Sequence, residues 1–281
     1  MRASVSIVAI ITCLALPALG QDRARFPTVA SSPGPLQALE TVDQTRGWEA
    51  VGRLDTGVGF CTATLISEDI ILTAAHCLYD EQAARLGDAQ LIFNAGLRIG
   101  RPDARRRIAR SLIHPDYEHG LPDDLRFVGS DLAILQLESP IHDPDIRPFA
   151  TNGVAIVGDG VQVVSYGEDR ADVASLEDDC QVLAQDLGVL VLSCHVVRGS
   201  SGAPIFLEYG GEMNVVSVVS ARAQWRDEPV ALSVELQGEL DVMLDLLAGQ
   251  QAILSQSLPQ VRRLGDADTG RDNIGARFVR P

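Results

Sequence analysis

Short apolar runs separated by turn signals set the rhythm of this chain. From Trp48 onward the runs Ala63–Ile66, Ile70–Leu72, Gln90–Phe93, Leu132–Leu137, Val154–Val157, Val161–Val164, Val189–Leu192 and Val215–Val219 alternate with Asp-Gly, Asn-Gly, Gly-Gly and Gly-Glu-Asp. Runs of this length with turns at this spacing predict an all-β barrel or sandwich rather than βαβ units. The stretch Ser139–Pro148, with three prolines, reads as a link between two halves. The period changes only near the end. Leu240, Met243, Leu244 and Leu247 recur at i, i+3, i+4 and i+7, which predicts an amphipathic helix over about 239–258 packed on the second half. Residues 259–281 are rich in Gly, Arg and Asp and read as a flexible tail.

The beginning of the chain follows a different logic. Residues 1–20 carry one charge (Arg2), an apolar run from Val5 to Leu16 and a small-residue exit at Ala18-Leu19-Gly20. That is the layout of a secretory signal peptide cleaved after Gly20, and the run is short for a membrane span. Residues 21–46, rich in Pro, Gly, Ser and Gln and ending at Arg46-Gly47, read as a flexible leader or propeptide.

Charge narrows the function classes. The 281 residues hold 38 acidic side chains against 23 basic ones, all of them Arg, for a formal net charge of −15. Such a surface repels phosphate backbones and anionic headgroups, so neither nucleic acid nor a membrane surface is an expected partner. The run Arg105-Arg106-Arg107 with Arg101 and Arg110 reads as a solvated face within that acidic protein. Loss of the signal peptide removes Cys13 and leaves Cys61, Cys77, Cys180 and Cys194. An even count in an oxidising compartment implies two disulfides, with three connectivities open. The sequence-local one, Cys61–Cys77 and Cys180–Cys194, closes two short loops, each contributing roughly 3 kcal/mol on a chain-entropy basis. Zinc binding is disfavoured because no close C-x-x-C pair exists, and no H-E-x-x-H is present either.

Three segments carry candidate chemistry: Leu72-Thr73-Ala74-Ala75-His76-Cys77, Ser130-Asp131-Leu132-Ala133-Ile134-Leu135, and Arg198-Gly199-Ser200-Ser201-Gly202-Ala203-Pro204. A Ser hydroxyl is a poor nucleophile until a base removes its proton, and His has the pKa for that task. The His in turn needs a carboxylate to fix its tautomer. Small residues such as Gly199 and Gly202 let backbone N–H groups approach a developing oxyanion. No His follows Ser201, the last being His195, so the Ser–Asp–His order of α/β-hydrolases is excluded and a His–Asp–Ser order remains. His114 and His119 read as surface residues, and Asp123 and Asp124 are substitutes for Asp131 as orienting carboxylate.

Taken together, over roughly Trp48 to Leu236, these motifs resemble those of trypsin-like serine proteases. Thr73–Cys77 is similar to the family's histidine motif, including the Cys that bridges back to the strand carrying Cys61. Asp131-Leu-Ala-Ile-Leu is similar to its aspartate motif, and Gly199–Pro204 to its serine motif. The resemblance implies Ser201 as nucleophile, His76 as general base and then acid, Asp131 as orienting carboxylate, and the N–H groups of Gly199 and Ser201 as oxyanion hole. It also implies two antiparallel six-stranded β-barrels of the chymotrypsin type, here about 47–145 and 149–238, within a peptidase domain of 47–258. Ser200 stands where animal trypsins have an Asp that receives a new N-terminal ammonium, so activation by that ion pair is not expected. In this the chain is more similar to bacterial glutamyl endopeptidases. Six residues before the Ser, at the base of the trypsin pocket, stands His195, which disfavours Arg or Lys as the P1 residue. Val196, Arg198, Ser220 and Arg222 are expected around the substrate, with Val219 where glutamyl endopeptidases carry a pocket His. The expectation is a secreted, monomeric serine endopeptidase acting on protein or peptide without cofactor or metal. The alternatives are a catalytically silent binding module of the same fold and an esterase.

Overall fold

The computed structural model describes residues 36–120 and 125–257; residues 1–20, read as a signal peptide, residues 21–35, read as part of a leader, Asp123, Asp124 and residues 259–281, read as a tail, lie outside them. Thirteen strands and three α-helices run in the order β1 (Gln37–Ala38), α1 (Val42–Thr45), β2 (Val51–Asp55), β3 (Phe60–Ser67), β4 (Ile70–Thr73), β5 (Ile92–Ala95), β6 (Ala104–Ile113), α2 (Leu125–Val128), β7 (Ala133–Leu137), β8 (Gly160–Gly167), β9 (Arg170–Asp186), β10 (Val189–Leu192), β11 (Pro204–Tyr209), β12 (Glu212–Trp225), β13 (Glu228–Glu235) and α3 (Glu239–Ser257). The first six long strands close into an antiparallel barrel in the order β2-β3-β4-β7-β6-β5. The second set runs β9-β10-β13-β12-β11-β8, and the β8–β9 pairing returns it on itself, so it too forms a six-stranded ring. The expected two-barrel, all-β architecture with a C-terminal helix is what the chain adopts.

Closure removes the edges that would otherwise demand backbone partners. Each barrel is filled by inward side chains: Leu54, Leu65, Ile71, Phe93 and Leu135 in the first, and Val163, Val182, Leu190, Ile205 and Ala231 in the second. A third cluster joins them, with Leu72 and Ile134 meeting Tyr166, Phe206, Val218 and Val234. Leu240, Met243 and Leu247 of α3 belong to this third cluster, so the helix packs at the junction rather than on the second half alone. Its first turn is also tied to the first barrel, where Glu239 bonds buried His114 Nε2 at 2.7 Å. His114 is therefore not a surface residue.

Two other expectations are corrected. Residues 36–46 are not a loose leader. Gln37 and Ala38 extend β9, Leu39 is buried, and α1 is held by a capping box between Thr41 and Gln44. Val154–Val157 is not a strand, because the Ile156 N–H is taken by the Asp159 carboxylate and a turn follows, leaving Val154, Ile156 and Val157 exposed. The Arg105–Arg107 run, read as a solvated face, lies within strand β6, with Arg105 and Arg107 facing solvent and Ile108 buried.

Candidate active site

Register explains how His76 and Asp131 meet. β4 and β7 are antiparallel neighbours with Thr73 opposite Ala133. The chain leaving β4 turns through one 3₁₀ turn, Ala75–Leu78, which carries His76; the chain entering β7 carries Asp131 two residues before Ala133. Both side chains thus emerge at the same end of one ladder. The turn is fastened by the Cys61–Cys77 disulfide, S–S 2.03 Å, back to β3. His76 Nδ1 lies 2.7 Å from Asp131 Oδ2, and the His76 backbone N–H donates to Oδ1 at 2.9 Å. Ser220 Oγ donates to Oδ2 at 2.5 Å, so the buried carboxylate faces three donors.

Electrostatics follow from that cage. Burial alone would push the Asp131 carboxyl up, but the His76 charge and the hydrogen bonds from His76 and Ser220 outweigh it and hold it below the usual carboxylate range. For His76 burial pulls downward, and the Asp131 charge and hydrogen bond overcome it, leaving the imidazole above its ordinary value. With Nδ1 committed to the carboxylate, Nε2 has no protein partner among the described residues. Close by, His119 stacks on Tyr79 with ring centroids 4.2 Å apart and shares a 2.9 Å hydrogen bond with the Tyr117 hydroxyl. Burial and the His76 charge hold His119 below its usual value.

Ser201 sits in the loop between β10 and β11, and the backbone of that loop is pinned at each carbonyl. Arg198 C=O accepts from Glu168 N–H at 2.8 Å and Ser200 C=O from Ala203 N–H at 3.0 Å. Gly199 C=O accepts from the Thr62 hydroxyl, and Ser201 C=O from Thr62 N–H, both at 2.9 Å. In a trans peptide the N–H points opposite to the C=O. Fixing the carbonyls of Arg198 and Ser200 therefore aims the N–H groups of Gly199 and Ser201 away from them, and among the described residues neither has a protein acceptor. Gly199 has φ +95°, and a Cβ there would lie 2.5 Å from the Phe60 ring. Gly202 has φ +79°, and a Cβ there would lie 2.3 Å from Thr62 O. No side chain larger than hydrogen fits either position.

Two cavities meet at Ser201. One, about 450 Å³, is lined by Val196, Val197, Arg198, Ser201, Val219, Ser220, Ala221, Arg222 and Glu168. The other, about 360 Å³, brings Ser201 and Gly199 together with His76, Phe60, Tyr79 and the Cys61–Cys77 pair. Of the residues expected around the substrate, Val196, Arg198, Ser220 and Arg222 line the first cavity. His195 does not: its side chain is exposed and outside the lining, while its backbone N–H donates to Glu177. Side chains alternate along an extended segment, so the residue beside the pocket is Val196. Cys180–Cys194 forms the second disulfide, at the start of the same loop.

The family model described as Trypsin matches residues 39–190, more than half of the chain. The chain belongs to the trypsin family of serine proteases. Within the matched span lie His76 and Asp131, and Ser201 follows it. Human kallikrein-10 is 33% identical over 123 residues, 42% of this chain and 42% of its own length. Human kallikrein-15 is 30% identical over 140 residues, 47% of this chain and 50% of its own. The chain thus spans half or less of the length of these relatives. A solved Glu endopeptidase in complex with MPD superposes with a TM-score of 0.62 at 16% identity, covering 78% of this chain and 99% of that one. At that identity the likeness is one of fold, and it extends the two-barrel trypsin-family architecture beyond residue 190.

Proposed function

We propose that this trypsin-family chain is a secreted serine endopeptidase that cleaves peptide bonds through an acyl-enzyme on Ser201. The observation that carries the reading is the His76–Asp131 pair opening, with Ser201 and Gly199, onto one cavity. His76 Nε2 takes the Ser201 hydroxyl proton as Oγ attacks the scissile carbonyl, and Asp131 stabilises the imidazolium that forms. The carbonyl oxygen gains charge and accepts from Gly199 and Ser201 N–H. Collapse breaks the C–N bond, with the His76 proton passing to the leaving amine. Water, deprotonated by the same nitrogen, then hydrolyses the ester and restores Ser201. Residues 1–20 and two disulfides support export to an oxidising compartment.

For the substrate side chain, the 450 Å³ cavity offers apolar walls of Val196, Val197 and Val219. Its only carboxylate among the described residues is Glu168, exposed, against two guanidiniums, Arg198 and Arg222. That balance rejects Lys and Arg at P1 and admits uncharged or acidic residues. A fluorophosphonate probe tests the reading. Labelling of the folded chain that disappears in both Ser201→Ala and His76→Ala is the expected result, together with turnover of peptide amides. No labelling of folded, disulfide-bonded protein would return the chain to a silent binding module, and turnover of esters alone would make it an esterase.

A further inference from the structure

Glu177 is a fully buried carboxylate on β9 that the triad does not touch. Both of its oxygens accept the backbone N–H of His195, at 3.1 and 3.0 Å. That N–H begins the loop that carries Arg198, Gly199 and Ser201. β9 fastens the loop in order: Gln181 bonds Ser193 in both directions, Cys180 joins Cys194, and Glu177 holds His195. Beyond His195 the loop closes on itself, with Val197 N–H on Ser200 Oγ and Ser200 N–H on Val197 C=O. Ser200 Oγ in turn reaches Ser165 Oγ, which accepts from Arg170. The last of the ties from β9 is therefore a carboxylate, where a neutral acceptor would serve for stability alone.

Resting on the endopeptidase reading above, we infer that Glu177 is a positioning residue: its ionised carboxylate sets the height of the 195–200 loop and so the aim of the Gly199 and Ser201 N–H groups. Protonation leaves one acceptor oxygen and a hydroxyl that must find its own acceptor in a buried site. The single His195 N–H, shared between two oxygens in the ionised form, then keeps only one acceptor, and the oxyanion hole loosens. Burial, the largest influence, pushes the Glu177 carboxyl up to about 7; the His195 N–H and the Arg170 charge oppose it, and Asp179 and Asp178 add to it. The charged groups around it are thus Arg170, Asp178 and Asp179 of its own strand, while the loop opposite presents His195, whose side chain is exposed.

Glu177→Gln mimics the protonated form at every pH and keeps the shape. The experiment measures kcat and KM from pH 5 to 9 on a peptide amide for wild type and Glu177→Gln, with fluorophosphonate labelling and near-ultraviolet circular dichroism on both. The expected result is a roughly tenfold lower kcat at pH 8, KM little changed, less than the loss for deleting a whole donor. The acid limb of kcat/KM should follow two protons in wild type and one in the variant. Equal kcat and equal limbs in two folded proteins overturn the inference while leaving the endopeptidase reading intact. A wild-type chain that neither labels nor cleaves overturns both. Glu177→Ala, which removes the acceptor altogether, should lose more kcat than Glu177→Gln; an Ala variant as active as wild type also overturns it.

Discussion

Thr62 is the residue on which the two barrels share their grip on the Ser201 loop, and its hydroxyl can be removed almost without change of shape. Fully buried in β3, it donates from Oγ1 to Gly199 C=O at 2.9 Å and accepts there from Tyr166 N–H at 3.0 Å. Its own C=O accepts from Thr73 Oγ1 at 2.8 Å and its N–H donates to Ser201 C=O. Thr62→Val keeps the backbone bonds and leaves two buried groups, Gly199 C=O and Tyr166 N–H, without partners. Each orphan costs about 1–3 kcal/mol, so the variant should lose about 2–6 kcal/mol. For a domain of this size that is a melting temperature lower by roughly 5–25 °C. Freeing the Gly199–Ser200 peptide also blurs the aim of the neighbouring oxyanion donors, and kcat should fall by about 10–100-fold, short of the 10²–10³ for deleting a donor. Thr62→Ser, which restores the hydroxyl, should recover most of kcat. Thermal melts and steady-state kinetics on a peptide amide read both quantities. A Thr62→Val protein that melts with wild type and keeps its kcat would refute the claim that this hydroxyl holds the loop.

Gly202→Ala should cost several times more stability than Gly211→Ala, since both have positive φ (+79° and +86°) but only the first would press a Cβ against Thr62 O and Thr73 Oγ1. The strain shared by both is about 1–2 kcal/mol, and paired melts of the two variants isolate the clash. Because the His76 pKa is raised, kcat/KM should reach half its plateau above pH 6.5. Asp131→Asn should move that limb to lower pH and depress kcat, by on the order of 10⁴ in the serine-protease template. The same pair bears on stability: His76 contributes below its unfolded pKa and loses this as pH rises through the folded one, while Asp131 contributes above its unfolded pKa and loses this as pH falls through the folded one. Glu177 has the opposite sign from Asp131. With its pKa raised from 4.5 to about 7, the folded state loses stability as pH climbs between those values, about 3 kcal/mol at one unit per 1.36 kcal/mol. Glu177→Gln should therefore melt higher than wild type at pH 8 and equally at pH 4.

The triad segments were legible because each is local: His76 with its Cys, Asp131 with its strand, Ser201 between glycines. The cysteine pairing was one of three by counting alone; short loop closure favoured the sequence-local pair of bridges that the structure has, and the motif resemblance added support only for the first. Strands whose outward faces are strongly charged escaped the reading. β6 hides inside Arg105–Arg107, and β9 inside Glu177-Asp178-Asp179, where the buried member of three acids cannot be told from its solvated neighbours without the partner strands. Val154–Val157 misled for the reverse reason, an apolar run whose backbone is claimed by Asp159. His195 was found by counting back from Ser201, and counting cannot see that its side chain turns outward.

The ties to the Ser201 loop are of two kinds, and the difference bears on why Glu177 persists. Those from Thr62, Glu168 and Ala203 are neutral hydrogen bonds that stabilise the fold and the site alike. Glu177 instead holds His195 with a charge whose burial works against folding at the pH where a His76 base is neutral. An amide side chain, which still accepts from His195 N–H without a buried charge, would serve stability better at that position. A group that weakens the fold while sharpening one loop is intelligible where that loop must hold two backbone donors in place for a developing negative charge. Ser200, buried next to Ser201 in the chain, is satisfied within the second barrel by Val197, Ser165 and Tyr166. The Ser201 loop is thus held from within the second barrel and from the first by Thr62.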